Sequence, residues 1–270
     1  MARARCFAVL ALAAVTLVAC GGGDSTPADT TAQPNLDPPV RYTTEWTAPD
    51  GIDLLGRTGE LVRASVESGD YALAFGVGKF ADFPQFPGYL EAIGAPSESN
   101  SRYTPYYYAR SPEKPDTNEW AQYYHLARVT TDGKNIDATV CGYGLGDNPA
   151  KNYNLSPIKD AIHVQLSTTA DSPGLPGIPD ADPAASDPRA HFLPSWNVFG
   201  DWKIDGMVHA AYSDNGAVAE PCFDWWAAQF PTFVRTEPSP YLYPPEGYVF
   251  PTLPADHLQY PEWIGPADPS

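Results

Sequence analysis

Trp120-Ala121-Gln122-Tyr123-Tyr124-His125-Leu126-Ala127-Arg128-Val129-Thr130-Thr131, then Asp132-Gly133, then Lys134-Asn135-Ile136-Asp137-Ala138-Thr139-Val140-Cys141-Gly142-Tyr143, decides the fold. Both arms are rich in β-branched and aromatic residues. The Asp-Gly pair between them is the favoured composition of a two-residue hairpin turn, because it tolerates positive φ. The spacing predicts an antiparallel hairpin of 120–131 and 134–143. Residues 161–167 continue the pattern, with Ile162, Val164 and Leu166 on one face and His163, Gln165 and Ser167 on the other. Residues 202–212 alternate again: Trp202, Ile204, Val208 and Tyr212 against Lys203, Asp205 and His209. Residues 103–109 are β-prone, and Pro105 suits them to an edge.

The periodicity changes on either side of this core. Leu54, Leu55, Leu61, Val62 and Val66 hold one apolar face across a helical reading of 52–78. Thr58 is a candidate cap, and Gly69-Asp70 a break before a second segment at 71–75. A short helix is expected around 89–93 and another at 223–230, ended by Pro231. The chain thus reads as α+β: N-terminal helices packed on a twisted antiparallel sheet. Residues 231–270 hold ten prolines among Phe233, Tyr241, Tyr243, Tyr248, Phe250, Tyr260 and Trp263. Aromatics at that density are expected to wrap onto the domain, with proline lowering the entropy lost on ordering. The expected layout is 1–19 as a leader, 20–50 as a tether, 51–230 as the α+β domain and 231–270 as the packed tail.

The N-terminus sets the compartment. Arg3 and Arg5 precede an uncharged run, residues 7–19, that is shorter than the ~20 apolar residues a membrane helix needs. The run ends in Leu17-Val18-Ala19-Cys20, which resembles the lipobox of bacterial lipoproteins. That resemblance implies cleavage before Cys20, a thioether-linked diacylglycerol on Cys20, acylation of the new amino group with palmitate-class chains, and anchoring on the outer face of the cell membrane. The composition resembles lipoproteins of high-GC Gram-positive bacteria. The formal charge is −17, and loss of Arg3 and Arg5 takes it to −19. A chain this acidic repels nucleic acid, so no nucleic-acid partner is expected. Cys6 leaves with the leader, which leaves Cys141 and Cys222 as an even pair in an oxidising compartment. They are expected to form a disulfide, since neither lies in a C-x-x-C motif or beside a histidine. Closing a loop of about 80 residues contributes up to ~4.5 kcal/mol in the chain-entropy model.

No nucleophile elbow, zinc-protease motif, phosphate loop or EF-hand is present. Asp180, Asp182 and Asp187 lack the turn glycine and terminal glutamate of a calcium loop, so neither a metal nor another cofactor is expected. Val129-Thr130-Thr131-Asp132-Gly133 with Ala138-Thr139-Val140, and Gly200-Asp201-Trp202-Lys203-Ile204-Asp205-Gly206-Met207, resemble the late hairpin strands of nuclear-transport-factor-two-like (SnoaL-like) cone domains. The likeness covers about 100 residues and implies a conical pocket between helices and sheet. Some members of that family use the pocket for isomerisation or hydrolysis and others only for binding; no catalytic set carries over. The candidate catalytic residues are Asp205, His209 and His163, all on polar faces of predicted strands, where a His–Asp dyad acts as a general base. Against them stands the solvated face that any antiparallel sheet presents. Tyr106-Tyr107-Tyr108, Tyr123-Tyr124 and Trp225-Trp226 point instead to binding of a small molecule, lipid, glycan or envelope partner. The favoured reading is a lipid-anchored binding protein, with the small-molecule isomerase or hydrolase as alternative.

Protein extracted from native membranes is expected to begin at Cys20 and to carry a diacylglyceryl mass. A Cys20→Ala chain should keep its leader and lose the lipid. An unmodified, uncleaved native chain in the intact mass spectrum would remove the anchor.

Overall fold

The computed structural model describes residues 41–76, 86–94, 118–147, 157–170, 174–209, 218–236, 239 and 241–266. Its centre is a five-stranded sheet built from β1 (Tyr42–Thr47), β2 (Trp120–Thr131), β3 (Asn135–Gly146), β4 (Asp160–Ser167) and β6 (Lys203–His209), in the order β1-β2-β3-β4-β6. A two-residue strand, β5 (Ala190–His191), lies between β4 and β6 in sequence. The helices are α1 (Arg57–Phe75), α2 (Tyr89–Ile93) and α3 (Phe223–Gln229). The chain is therefore mixed α and β but dominated by sheet, with one long helix among the described residues where two consecutive N-terminal segments were expected, and short helices at 89–93 and 223–229. No helix among the described residues is long and apolar enough to cross a membrane.

The hairpin forms as its sequence predicts. Thr131 pairs with Ile136, and the Asp132 carboxylate accepts the backbone N–H groups of Lys134 (2.9 Å) and Asn135 (2.7 Å). Gly133 has φ +90°, which an L side chain rarely adopts. β3 pairs antiparallel with β4, and β4 with β6. β1 differs twice from expectation. It lies inside the stretch read as tether, and it pairs parallel to β2, with Tyr42 opposite Trp120 and Trp46 opposite Tyr124. Six residues with one apolar alternation are a weak local signal. The strand exists because Tyr42 and Trp46 bury their rings on the sheet's inner face, each 1% exposed.

α1 also differs from expectation, running unbroken through Gly69-Asp70. A helical glycine costs about 1 kcal/mol. Burial of Tyr71, Ala72 and Phe75 downstream outweighs it. Thr58 does not cap. The N-cap is Gly56, whose N–H goes to Asp53 Oδ1 at 2.9 Å, and Gly76 ends the helix at φ +79°. Leu61, Val62 and Val66 of α1 share a core with Leu126, Val140, Ile162, Val164 and Ile204 of the sheet.

The sheet's other face carries a second, smaller core. Cys141 of β3 and Cys222 of the 3-10 turn Glu220–Cys222 form a disulfide. The bond pins α3, whose Trp226 donates from Nε1 to the Gly142 carbonyl at 3.2 Å. Tyr143, Phe230, Phe233 and Leu242 complete the cluster.

The Pro/aromatic tail makes contacts with both cores. Strands β7 (Val234–Arg235) and β8 (Leu242–Tyr243) pair with each other, and Leu242 exchanges backbone hydrogen bonds with Ile158. Tyr260 bridges the free edge of β1, donating to the Thr44 carbonyl (2.8 Å) and accepting from the Trp46 N–H (2.7 Å). This covers backbone that would otherwise be an open edge. β9 (Trp263–Ile264) pairs with β5 and places Trp263 over α1. There Glu67 accepts hydrogen bonds from Trp46 Nε1 (2.7 Å) and Trp263 Nε1 (2.8 Å). Arg63, one turn earlier, lies 4.5 Å from the Trp263 ring centroid.

Glu67→Leu is expected to cost about 3 kcal/mol in urea unfolding, because it strands two buried indole N–H groups and a buried guanidinium. Glu67→Gln, which keeps an acceptor, should cost roughly half as much. Equal, near-zero losses would show that the cluster does not hold the tail. Reducing the disulfide is expected to lower stability by up to about 4 kcal/mol, and an unchanged unfolding midpoint in reductant would contradict that.

Candidate functional site

Two clusters of titratable side chains lie on opposite faces of the sheet, and the three residues singled out from the sequence are divided between them. The cause is a β-bulge. On β4 the partners Gln165 and Leu166 are consecutive, but on β6 they face Gly206 and Ile204, so Asp205 is an extra residue. Simple alternation puts Asp205 and His209 together. The bulge inverts every position after it, so Met207 and His209 join Ile204 on the inner, helix-covered face. The Asp205–His209 dyad therefore does not form, and His163 lies on the other face from His209.

On the outer face, His163 Nε2 lies 2.8 Å from Asp137 Oδ2, and Gln165 Nε2 donates to the same oxygen at 3.1 Å. Asp137 is directly opposite Gln165 across β3–β4 and diagonal to His163, which sits opposite Thr139. A second bulge, between Leu126 and Arg128 on β2, turns Arg128 onto this face, where its guanidinium is 3.9 Å from Asp137 Oδ1. Partial burial pulls the Asp137 carboxyl upward, but the hydrogen bonds from His163 and Gln165 and the charge of Arg128 outweigh it and leave it below the usual carboxylate range. Beside this cluster is an open groove of about 520 Å³, walled by Thr130, Asn135, Asp137, Gln165 and Asp205. The Asp205 carboxylate makes no hydrogen bond or ion pair to another described residue. Asp137 carried a signal in the sequence: it is the polar member between Ile136 and Ala138 on the strand next to His163.

On the inner face, His209 Nε2 is 2.8 Å from Asp160 Oδ1. Nearby, the Tyr124 hydroxyl donates to the half-buried Asp70 of α1. Burial pushes the Asp70 carboxyl up to about 7; the Tyr124 hydroxyl and His209 oppose the rise, and Asp160 adds to it. Asp70 reads as a helix breaker and Asp160 as a strand flank, so sequence alternation singles out neither.

The paired aromatics separate in the same way. Tyr124 and Trp226 are buried, while Tyr123 stacks on Tyr143 (4.8 Å, 11°) and Trp225 on His125 (5.2 Å, 10°). The one-residue offset within each pair sends one ring into a core and the other onto a neighbour. Tyr106-Tyr107-Tyr108 and the strand read at 103–109 lie outside the described residues, as does Cys20. Among the described residues no group of three or more His, Cys, Asp and Glu side chains is placed to hold a metal ion. No protein-family model, curated protein or solved structure matches the chain.

A carboxyl whose pKa is raised on folding binds more protons in the native than in the unfolded state. For Asp70 the window runs from about 4, the unfolded value, to about 7. Its contribution therefore falls as pH rises through that window and levels off above it. Urea midpoints of the native chain should drop more between pH 4.5 and 7.5 than those of Asp70→Asn. Parallel profiles would show that Asp70 ionises normally.

Proposed function

We propose that the chain is a cell-envelope lipoprotein, held on the outer face of the cell membrane through lipid on Cys20, and that its domain binds a small polyhydroxyl ligand, a glycan unit, in the groove of the outer sheet face. The observation that carries this reading is the groove wall itself: Asp137, Asp205, Asn135, Gln165 and Thr130 converge on one open groove. Carboxylates and amides accept and donate to adjacent hydroxyls, which suits a polyhydroxyl ligand. Asp137 is held in place by His163 and Gln165, so its orientation is set before a ligand arrives. The Cys141–Cys222 disulfide is consistent with an oxidising compartment outside the cytoplasm. The cone-domain likeness is supported only by one long helix over one face of the sheet, and it supplies no ligand.

A second reading has its own observation. The 2.8 Å contact between His163 and Asp137 is the geometry of an oriented general base, at the edge of a groove that water and a substrate can enter. In that reading the domain hydrolyses or isomerises the ligand it binds.

Titration calorimetry of the mature protein against envelope-derived oligosaccharides is expected to show saturable binding. Asp205→Asn and Asp137→Asn should each weaken it about tenfold or more, since each removes a charged hydrogen-bond acceptor. Binding unaffected by both substitutions places the ligand elsewhere. Product formation that disappears in His163→Ala while affinity survives would favour the enzyme.

A further inference from the structure

The tail has one strongly exposed apolar tip. Val249 is 86% exposed, between Tyr248 and Phe250, in a loop bounded by Pro244-Pro245 and Pro251. Tyr248 packs edge-on against Phe233 (4.8 Å), and Phe233 is followed by the exposed Val234, at 57%. The aromatic rings thus brace the loop from behind while the valine side chains face outward. Tyr248 also contacts Phe250 at 5.2 Å, and the flanking prolines restrict the backbone, so little freedom is left to lose on burial.

The position of this loop matters more than its exposure. Arg41 is the first described residue and stands where the chain leading from Cys20 enters the domain. Its guanidinium donates to the carbonyls of Ala255 (2.9 Å) and His257 (2.6 Å), just past the loop. Leu253 donates to the Gly146 carbonyl at 3.1 Å, and Trp120 to the Arg41 carbonyl at 3.1 Å. Arg41, the start of β2, the end of β3 and the base of the loop therefore share one end of the sheet. Cys20 precedes Arg41 by 21 residues in the sequence, so the lipid-bearing residue is tethered to this end of the sheet. The β2–β3 hairpin turn lies at the other end of a 12-residue strand, roughly 35 Å away.

We infer that loop 244–251 is a second membrane contact, with Val249 and its aromatic neighbours seated in the interfacial layer of the bilayer beside the lipid anchor. The inference rests on the anchoring reading above. Tyr and other aromatic side chains favour the interfacial layer, and a rigid apolar tip at the tethered end enters it without rearranging the domain. The contact gives the anchored domain a preferred orientation, with the β2–β3 turn and the groove beside it directed away from the membrane.

The test uses an environment-sensitive fluorophore on Val249→Cys and, as control, on Lys134→Cys, in the acylated protein reconstituted in phosphatidylcholine vesicles with brominated acyl chains. The thioether on Cys20 and the disulfide leave the introduced thiol as the labelling site. The expected result is a blue-shifted emission, quenched by the brominated lipid, at 249 and not at 134. A label at 249 that stays in water while the intact mass confirms acylation overturns the inference. The same pair of labels in a leaderless chain of residues 21–270, which has neither Cys6 nor Cys20, at millimolar lipid, separates the two readings. Quenching at 249 there keeps the loop contact even if Cys20 proves unacylated, whereas a chain without lipid on Cys20 and without quenching at 249 loses both.

Discussion

Glu67 holds together parts of the chain nearly two hundred residues apart. Its carboxylate, on the buried face of α1, is shared by the indole of Trp46 in β1 and the indole of Trp263 near the C-terminus. An ionised carboxylate in such a place is costly unless its lone pairs are satisfied. Burial raises its pKa, while Arg63 and the two indole donors oppose that rise. Arg63 is itself desolvated, lies over the Trp263 ring and donates to the Pro261 carbonyl at 3.2 Å. Removing one member leaves the others buried without partners, which is why the cluster acts as a unit. Through it the helix, the parallel edge strand and the tail are held in one arrangement.

The consequences reach the edge of the sheet. With Trp263 fixed over α1, the chain before it lies along β1, where Tyr260 takes up backbone groups of Thr44 and Trp46. Further ties follow the same route. Asp180, in the long loop after β4, accepts the Glu262 N–H at 2.8 Å, and the Glu262 carboxylate accepts from the Asp187 N–H at 2.7 Å. Two of the aspartates whose spacing has the outline of a calcium loop thus dock the loop to the tail. Proline-rich segments without long strands have few backbone bonds of their own, so these side-chain acceptors take their place.

The two faces of the sheet then have different uses. The inner face shares its core with α1 and encloses carboxylates, a histidine and tyrosines at some cost. Among the described residues, the outer face is covered at one end, by α3, the disulfide and the tail residues Phe233 and Leu242, while Asp137, His163 and Gln165 line its open part. That asymmetry lets a groove persist beside a rigid strand pair. Asp137, His163 and Gln165 project from adjacent strands whose register is fixed by buried neighbours, so a ligand meets a preformed wall.

Much of the sheet was legible in the residues. The Asp132-Gly133 turn, the alternation around Val164 and the even cysteine pair each depend on local geometry or simple counting, and local geometry is written in neighbouring residues. β1 was not legible, because six residues paired to a distant parallel strand carry no turn signal. Asp205, His209 and His163 were also misplaced as a group, because a single extra residue in β6 reverses the side-chain direction of everything after it. Whether a bulge forms depends on how Ile204 and Met207 fit against Leu166 and Val164 across the strand pair. The sequence by itself determined which residue types were available, where the hairpin turns and which cysteines remained to pair. Only the tertiary structure decided which face each polar side chain occupies, because that depends on packing between strands far apart in the chain.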